Sequence, residues 1–281
     1  RMTQYSKNNY TTLLFCGVIL LASLFPSVIF AKPDQKPSLI VANSDQAPDY
    51  RRLNFQLFDA CKEGNVKLIT KLLKQGASVK ARNRFGNTAL FYAARSGNLE
   101  AVKILLQNDS DINQQNLRGR TVLVDSLYRK KYTVAKFLIQ NGADVTINPM
   151  VSKSSSEQNS SAVAVASFHK NVEIVEMLLK NGAAADIIDN TEKSAILYAA
   201  ANGSIKIVSL LIDYGVDVNK QYKNDLTPLM WAAGYGHLDV VKMLVNHGAK
   251  LNVKDNRGYN ALTIAKRNDH QEVVKFLEKK K

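Results

Sequence analysis

Apolar residues recur at helical intervals over most of the chain, and small residues punctuate them at fixed places. Leu99, Val102, Leu105 and Leu106 follow one another in steps of three, three and one, as do Val172, Val175, Leu178 and Leu179. Such steps gather the side chains on one face of a helix. Upstream lie pairs of alanines, Ala93-Ala94, Ala199-Ala200 and Ala232-Ala233, small enough to let neighbouring helices approach closely. Gly64, Gly97, Gly203 and Gly236 follow where a helix would end, and a left-handed residue there lets the chain reverse. A second set, Gly76, Gly142, Gly182, Gly215 and Gly248, closes the unit. The predicted element is therefore a pair of helices joined by a tight turn, repeated along an all-α chain.

The repeat has a fixed length. The residues that open the first helix of each unit are Phe55, Thr88, Thr121, Ser161, Ser194, Thr227 and Asn260, separated by 33, 33, 40, 33, 33 and 33 positions. A Thr or Ser there is suited to cap the helix, and Pro228 suits the first turn. The single long gap contains a Ser-rich insertion of seven residues within 148–160. With this period, and with its clearest copy at Thr227–Ala249, the chain resembles the ankyrin-repeat family from Leu53 to Lys281. The resemblance implies a solenoid of about seven stacked helix-turn-helix units, because no single pair of helices buries its apolar face alone.

Departures from the family pattern carry expectations of their own. The histidine that the family places after Thr-Pro-Leu is replaced by Phe58, Phe91, Val124, Ala164, Leu197, Met230 and Thr263, which predicts looser ties between neighbouring units. Lys130 and Lys170 stand where other copies have the first glycine, and Ser126-Leu127 and Ala166-Ser167 replace the alanine pair. With the insertion between them, residues 121–170 are the expected place for a bend or local opening. The lysines and glutamates of the last helix give the end of the stack a polar cover.

Residues 1–31 read as a leader. Arg1 and Lys7 lie in a polar start, Thr11–Ala31 has no charged residue, and a small residue ends the run. The expectation is a signal peptide cleaved after Ala31, with a membrane anchor as the alternative, since a spanning helix needs about 20 apolar residues. Residues 32–50, with Pro33, Pro37 and Pro48, read as a flexible linker, and 51–281 as the repeat domain. An exported protein, periplasmic or secreted and of bacterial type, follows from that leader.

Charge adds one further function class. The chain has 38 Lys and Arg against 24 Asp and Glu, a net +14, of which +12 remains if Arg1 and Lys7 leave with the leader. Such a charge favours anionic partners. The four histidines, His169, His237, His247 and His270, have no zinc-ligand spacing, and the glycines mark helix ends rather than a phosphate loop. Neither a catalytic constellation, nor a cofactor or metal site, nor a specific nucleic-acid motif is present in the sequence. Cys61 occupies a small buried position of the repeat.

The family resemblance implies binding of another protein through turn tips and the exposed side of the first helices, which line a concave groove. Mapped by position, the partner-binding candidates are Arg84, Phe85, Arg118 and Arg120 on the turns. Arg95, Tyr128, Arg129, Phe168, His169 and Tyr235 are the candidates on the helices. Arginine and aromatic residues are the types enriched at binding hot spots. Asn87 and Leu117 belong to the same turns, whereas Tyr92, Tyr198 and Trp231 lie one turn earlier and are expected to be core. The alternative partner is an anionic polymer or envelope surface, and a membrane enters only if the N-terminal segment stays attached.

Overall fold

The computed structural model describes residues 49–148 and 160–280, and these contain fourteen α-helices, one short 3-10 helix (Lys223–Asp225) and no strand. The helices come in pairs: α1 (Tyr50–Glu63) with α2 (Val66–Lys74), α3 (Ala89–Ser96) with α4 (Leu99–Gln107), and α5 (Val122–Tyr128) with α6 (Tyr132–Gln140). Next come α7 (Ala162–Phe168) with α8 (Val172–Lys180) and α9 (Ala195–Ala201) with α10 (Ile205–Asp213). The last pairs are α11 (Pro228–Gly234) with α12 (Leu238–Asn246) and α13 (Ala261–Arg267) with α14 (Gln271–Lys279). The expected leader, nearly all of the linker and the Ser-rich insertion lie outside the described residues.

Helices this short are not stable alone in water, so packing must hold them. Each first helix packs on the first helices of the pairs before and after it, and each second helix does the same in its own layer. Between the layers runs one continuous apolar core. Ala93, Ala94, Ala199, Ala200, Ala232 and Ala233 are fully buried there, as the close approach of first helices requires. The stripe Val102 and Leu105 of α4, like Val175 and Leu178 of α8, is also fully buried.

Capping follows the sequence in most pairs. Thr121, Ser161, Thr227 and Asn260 accept from the backbone N–H three residues on, at 2.9–3.3 Å. Thr88 and Ser194 occupy the same place without a side-chain cap bond. The first pair differs from the expectation. Its helix starts at Tyr50, not at Phe55, because Asp49 caps it by accepting from the Arg52 N–H at 3.1 Å. At 14 residues, α1 is about twice as long as the other first helices.

The glycine-free turns after α5 and α7 stay closed. Lys130 and Lys170 adopt left-handed backbone angles (φ 56° and 59°), the conformation that Gly97 and Gly236 supply elsewhere. Lys131 N–H and Asn171 N–H still bond to the carbonyls of Ser126 and Ala166, at 2.9 and 3.0 Å. Nor do the altered pairs leave gaps: Ser126, Leu127, Ala166 and Ser167 are all fully buried. Both turns thus keep their hydrogen bonds, and the left-handed lysines carry strain there. A left-handed residue with a Cβ costs about 1–2 kcal/mol. Lys130→Gly and Lys170→Gly are each expected to raise the unfolding free energy by about 1 kcal/mol, after the larger chain entropy of glycine is subtracted. Urea titration of each variant checks this, and an unchanged or lower midpoint would show that the lysines carry compensating interactions.

Ties between neighbouring pairs survive the missing histidine. Its replacements are mostly core: Phe91 and Ala164 are 0% exposed and Leu197 1%. Polar links cross elsewhere. Asn98 Nδ2 donates to the Gly64 carbonyl at 3.0 Å, and Asn202 Nδ2 to that of Phe168 at 2.9 Å. His237 and His270 set Nε2 at 2.7 Å and 2.9 Å from the carbonyls of Ala201 and Gly234. Packing of the replacements and these asparagine and histidine links tie neighbouring pairs together.

Candidate interaction face

The turns between pairs and the outer side of the first helices form one face of the stack, and a buried network fixes the turns. Asp189, 2% exposed, accepts from Ser160 Oγ at 2.8 Å and Tyr198 Oη at 2.5 Å. It also accepts from Thr191 N–H and Lys193 N–H. Burial works against its charged form, but the donors of Thr191, Tyr198, Lys193 and Ser160 outweigh that and hold the carboxyl below its usual range. Burial, joined by the hydrogen bond to Asp189, pushes the Tyr198 phenol up. Asp255 plays the same part near the C-terminal end, where it accepts from the N–H groups of Arg257 and Tyr259.

Of the residues expected to meet a partner, Arg84, Phe85, Arg118, Arg129, Phe168 and Tyr235 are exposed. Arg120, Tyr128 and His169 are half-buried, and so is Arg95. Arg84 lies over the Phe85 ring at 4.8 Å and Arg120 over Tyr128 at 4.2 Å. Phe168 meets Tyr198 edge-on at 5.7 Å, and Tyr235 stacks on Trp231 at 5.9 Å. Burial first, and then the charge of Lys130, lowers the pKa of His169.

Three expectations need correction. Arg95 is not an open contact residue, because its guanidinium grips the buried carboxylate of Asp125 with bonds of 2.5 and 3.1 Å. An unpaired carboxylate at that depth would be costly, so Arg95 is committed to the fold. Asn87 is buried and accepts from Asn116 Nδ2 at 3.0 Å, which locks two successive turns together. Tyr92 and Trp231, expected in the core, are only half-buried and line openings on this face.

Further residues belong to this face. Phe55 is 52% exposed, and together with Phe58, Phe85 and Tyr92 it lines an opening of about 710 Å³. A smaller opening of about 410 Å³ has Trp231, Tyr235, Arg257 and Asn268 in its lining. The Cys61 thiol is buried, and burial pushes its pKa up to about 12, which keeps it protonated and unreactive. Among the described residues, no group of three or more His, Cys, Asp or Glu side chains comes together as a metal site.

A family model described as ankyrin repeats (3 copies) matches residues 57–149, 150–222 and 215–281. The chain belongs to the ankyrin-repeat family. No match was found among the curated proteins. Ankyrin repeats are generally protein–protein interaction modules and generally non-catalytic. Among the described residues of this ankyrin protein, no helix is long and apolar enough to cross a membrane.

Proposed function

We propose that this is an exported, non-catalytic module that binds another protein through the turn tips and first helices of its ankyrin stack. The observation that supports it best is the row of solvent-facing arginines and aromatic rings on that face, from Arg84 and Phe85 to Arg129, Phe168 and Tyr235. Arginine holds carboxylates through paired hydrogen bonds, and rigid rings give contact area at small entropic cost. Export rests on the uncharged run Thr11–Ala31. Intact-mass measurement of the natural protein should find a chain starting near Lys32, and the full-length chain in the membrane fraction would replace export by anchoring.

Replacing Arg129 and Phe168 together by alanine tests the binding face. Both are exposed at the ends of first helices, so the melting temperature should stay nearly unchanged. Affinity for the natural partner, recovered by pull-down from its own compartment, should fall by at least about 2 kcal/mol. Lys103 and Glu173 are the control pair. They sit on second helices in surface ion pairs with Glu100 and Lys136, which contribute little to stability. Loss of binding in the control and not in the test pair would refute the face. An anionic polymer or envelope surface is the second reading, favoured by the net charge of +12 that remains when Arg1 and Lys7 leave with the leader. Steep weakening of binding with added salt would select it.

A further inference from the structure

The opening between the first two helix pairs is a built notch rather than a gap in the stack. Its walls come from α1, from the turn 81–85 and from Tyr92 of α3. The extra length of α1 carries Arg51 and Phe55 beyond the point where the other first helices begin. Phe55 and Phe58, one helical turn apart, meet edge-on at 6.1 Å, and Phe58 stacks on Tyr92 at 5.4 Å. Phe85, 48% exposed, faces the opening from the turn. Two large rings half in water at the mouth of one cleft are an apolar surface awaiting cover.

The turn that carries Phe85 is held in place. Asn83 Oδ1 accepts from the N–H groups of Phe85 and Asn87, at 2.8 and 3.0 Å, while its amide donates to Tyr92 Oη at 2.8 Å. Leu117 N–H bonds to the Phe85 carbonyl at 3.0 Å, and Arg82 bonds to the carbonyls of Gly86 and Gln115. A wall fixed in this way loses little entropy when a ligand arrives.

Charge decides what the notch accepts. Arg51 lies 6.0 Å from the centre of the Phe55 ring and Arg84 lies 4.8 Å from that of Phe85, and neither has a carboxylate partner among the described residues. Asp59 is the one acid of the lining, against Arg51, Arg82 and Arg84. An aromatic cage for a cation would not carry arginines on two of its walls, since like charges repel the guest. A guest that brings an apolar side chain between carboxylates satisfies every group present. We propose that this notch anchors an acidic segment of the partner protein, with one large apolar side chain seated among Phe55, Phe58, Phe85 and Tyr92. Carboxylates on either side of that anchor pair with Arg51 and Arg84. The inference rests on the interaction reading above and gives it the partner's chemistry.

Calorimetric titration of the full chain with blocked pentapeptides tests the notch. Asp-Glu-Phe-Glu-Asp should bind roughly tenfold tighter than Asn-Gln-Phe-Gln-Asn and than Asp-Glu-Ala-Glu-Asp. Joint Phe55→Ala and Phe85→Ala replacement should weaken the acidic peptide by roughly tenfold at an unchanged unfolding midpoint, because both rings are exposed. Joint Arg51→Gln and Arg84→Gln replacement should abolish the preference for acid over amide. Equal affinity for the acidic and amide peptides, unchanged affinity in the Phe55 and Phe85 variant, or no binding at about 1 mM peptide would overturn the proposal. Phenyl phosphate binding as tightly as the acidic peptide would overturn it in favour of a small aryl anion. With the natural partner, a loss on replacing Arg129 and Phe168 without any loss in the notch variants sinks the notch and leaves the interaction face standing. No loss in either set sinks both.

Discussion

Asp189→Ala is expected to lower the unfolding free energy by about 3 kcal/mol, since it strands several buried donors at once. Ser160 Oγ, Tyr198 Oη, Thr191 Oγ1 and the N–H groups of Thr191 and Lys193 all point at this carboxylate. Some would find water after truncation, which is why the expected loss is smaller than the sum of their separate penalties. The effect also depends on pH. The pKa of Asp189 is lower in the folded chain than its ordinary 3.8, so its contribution is fully present above that value and falls away as pH drops through the folded pKa. Denaturant titrations at pH 7 and near pH 3 should therefore show a wide gap between parent and variant at the higher pH and a narrower one at the lower. A gap that is equally wide at both would mean that the hydroxyls, and not the charge, dominate.

Phe91→Ala is expected to cost about 3–5 kcal/mol, the range for truncating a buried phenylalanine. Phe91 is 0% exposed in α3, a helix that packs on both α1 and α5. The lost volume therefore weakens two interfaces, and neighbours fixed in short helices have little freedom to collapse into it. Hydrogen exchange should show α1 to α4 opening ahead of α9 to α14 in the variant. Uniform loss of protection over the whole stack would show instead that the array unfolds as one unit. Thr263→Ala, at the matching position of α13, is a control of much smaller effect, because Thr263 is half-buried and bonds only within its own cap.

The spacing of Thr88, Thr121, Ser161, Ser194, Thr227 and Asn260 placed six first helices correctly, because a repeat is written in local residues. The start of α1 was misplaced by reading Phe55 against that period, although Pro48 followed by Asp49 is itself a capping signal. Arg95 was misread for a different reason. Its partner, Asp125, lies in the next unit, and only stacking shows that the two meet. The clue was available in Asp125 itself, an acid in the middle of an otherwise apolar helix that needs a cation nearby. Lys130 and Lys170 misled because a replaced glycine suggests a broken turn, whereas the turn pays the strain and keeps its bonds. The notch escaped notice since Phe55, Phe85 and Tyr92 come from three separate elements.

The pairing of each helix only with its own unit and the next has a consequence for how the chain comes into being. No helix waits for a partner more than one unit further along, so the entropy of closing each contact is that of a short loop. Folding of this kind is fast, and it can proceed in the order in which the units leave the ribosome. Each new unit docks on a finished surface and offers another to its successor. A chain halted part-way would thus expose one raw end, not a collapsed and tangled interior.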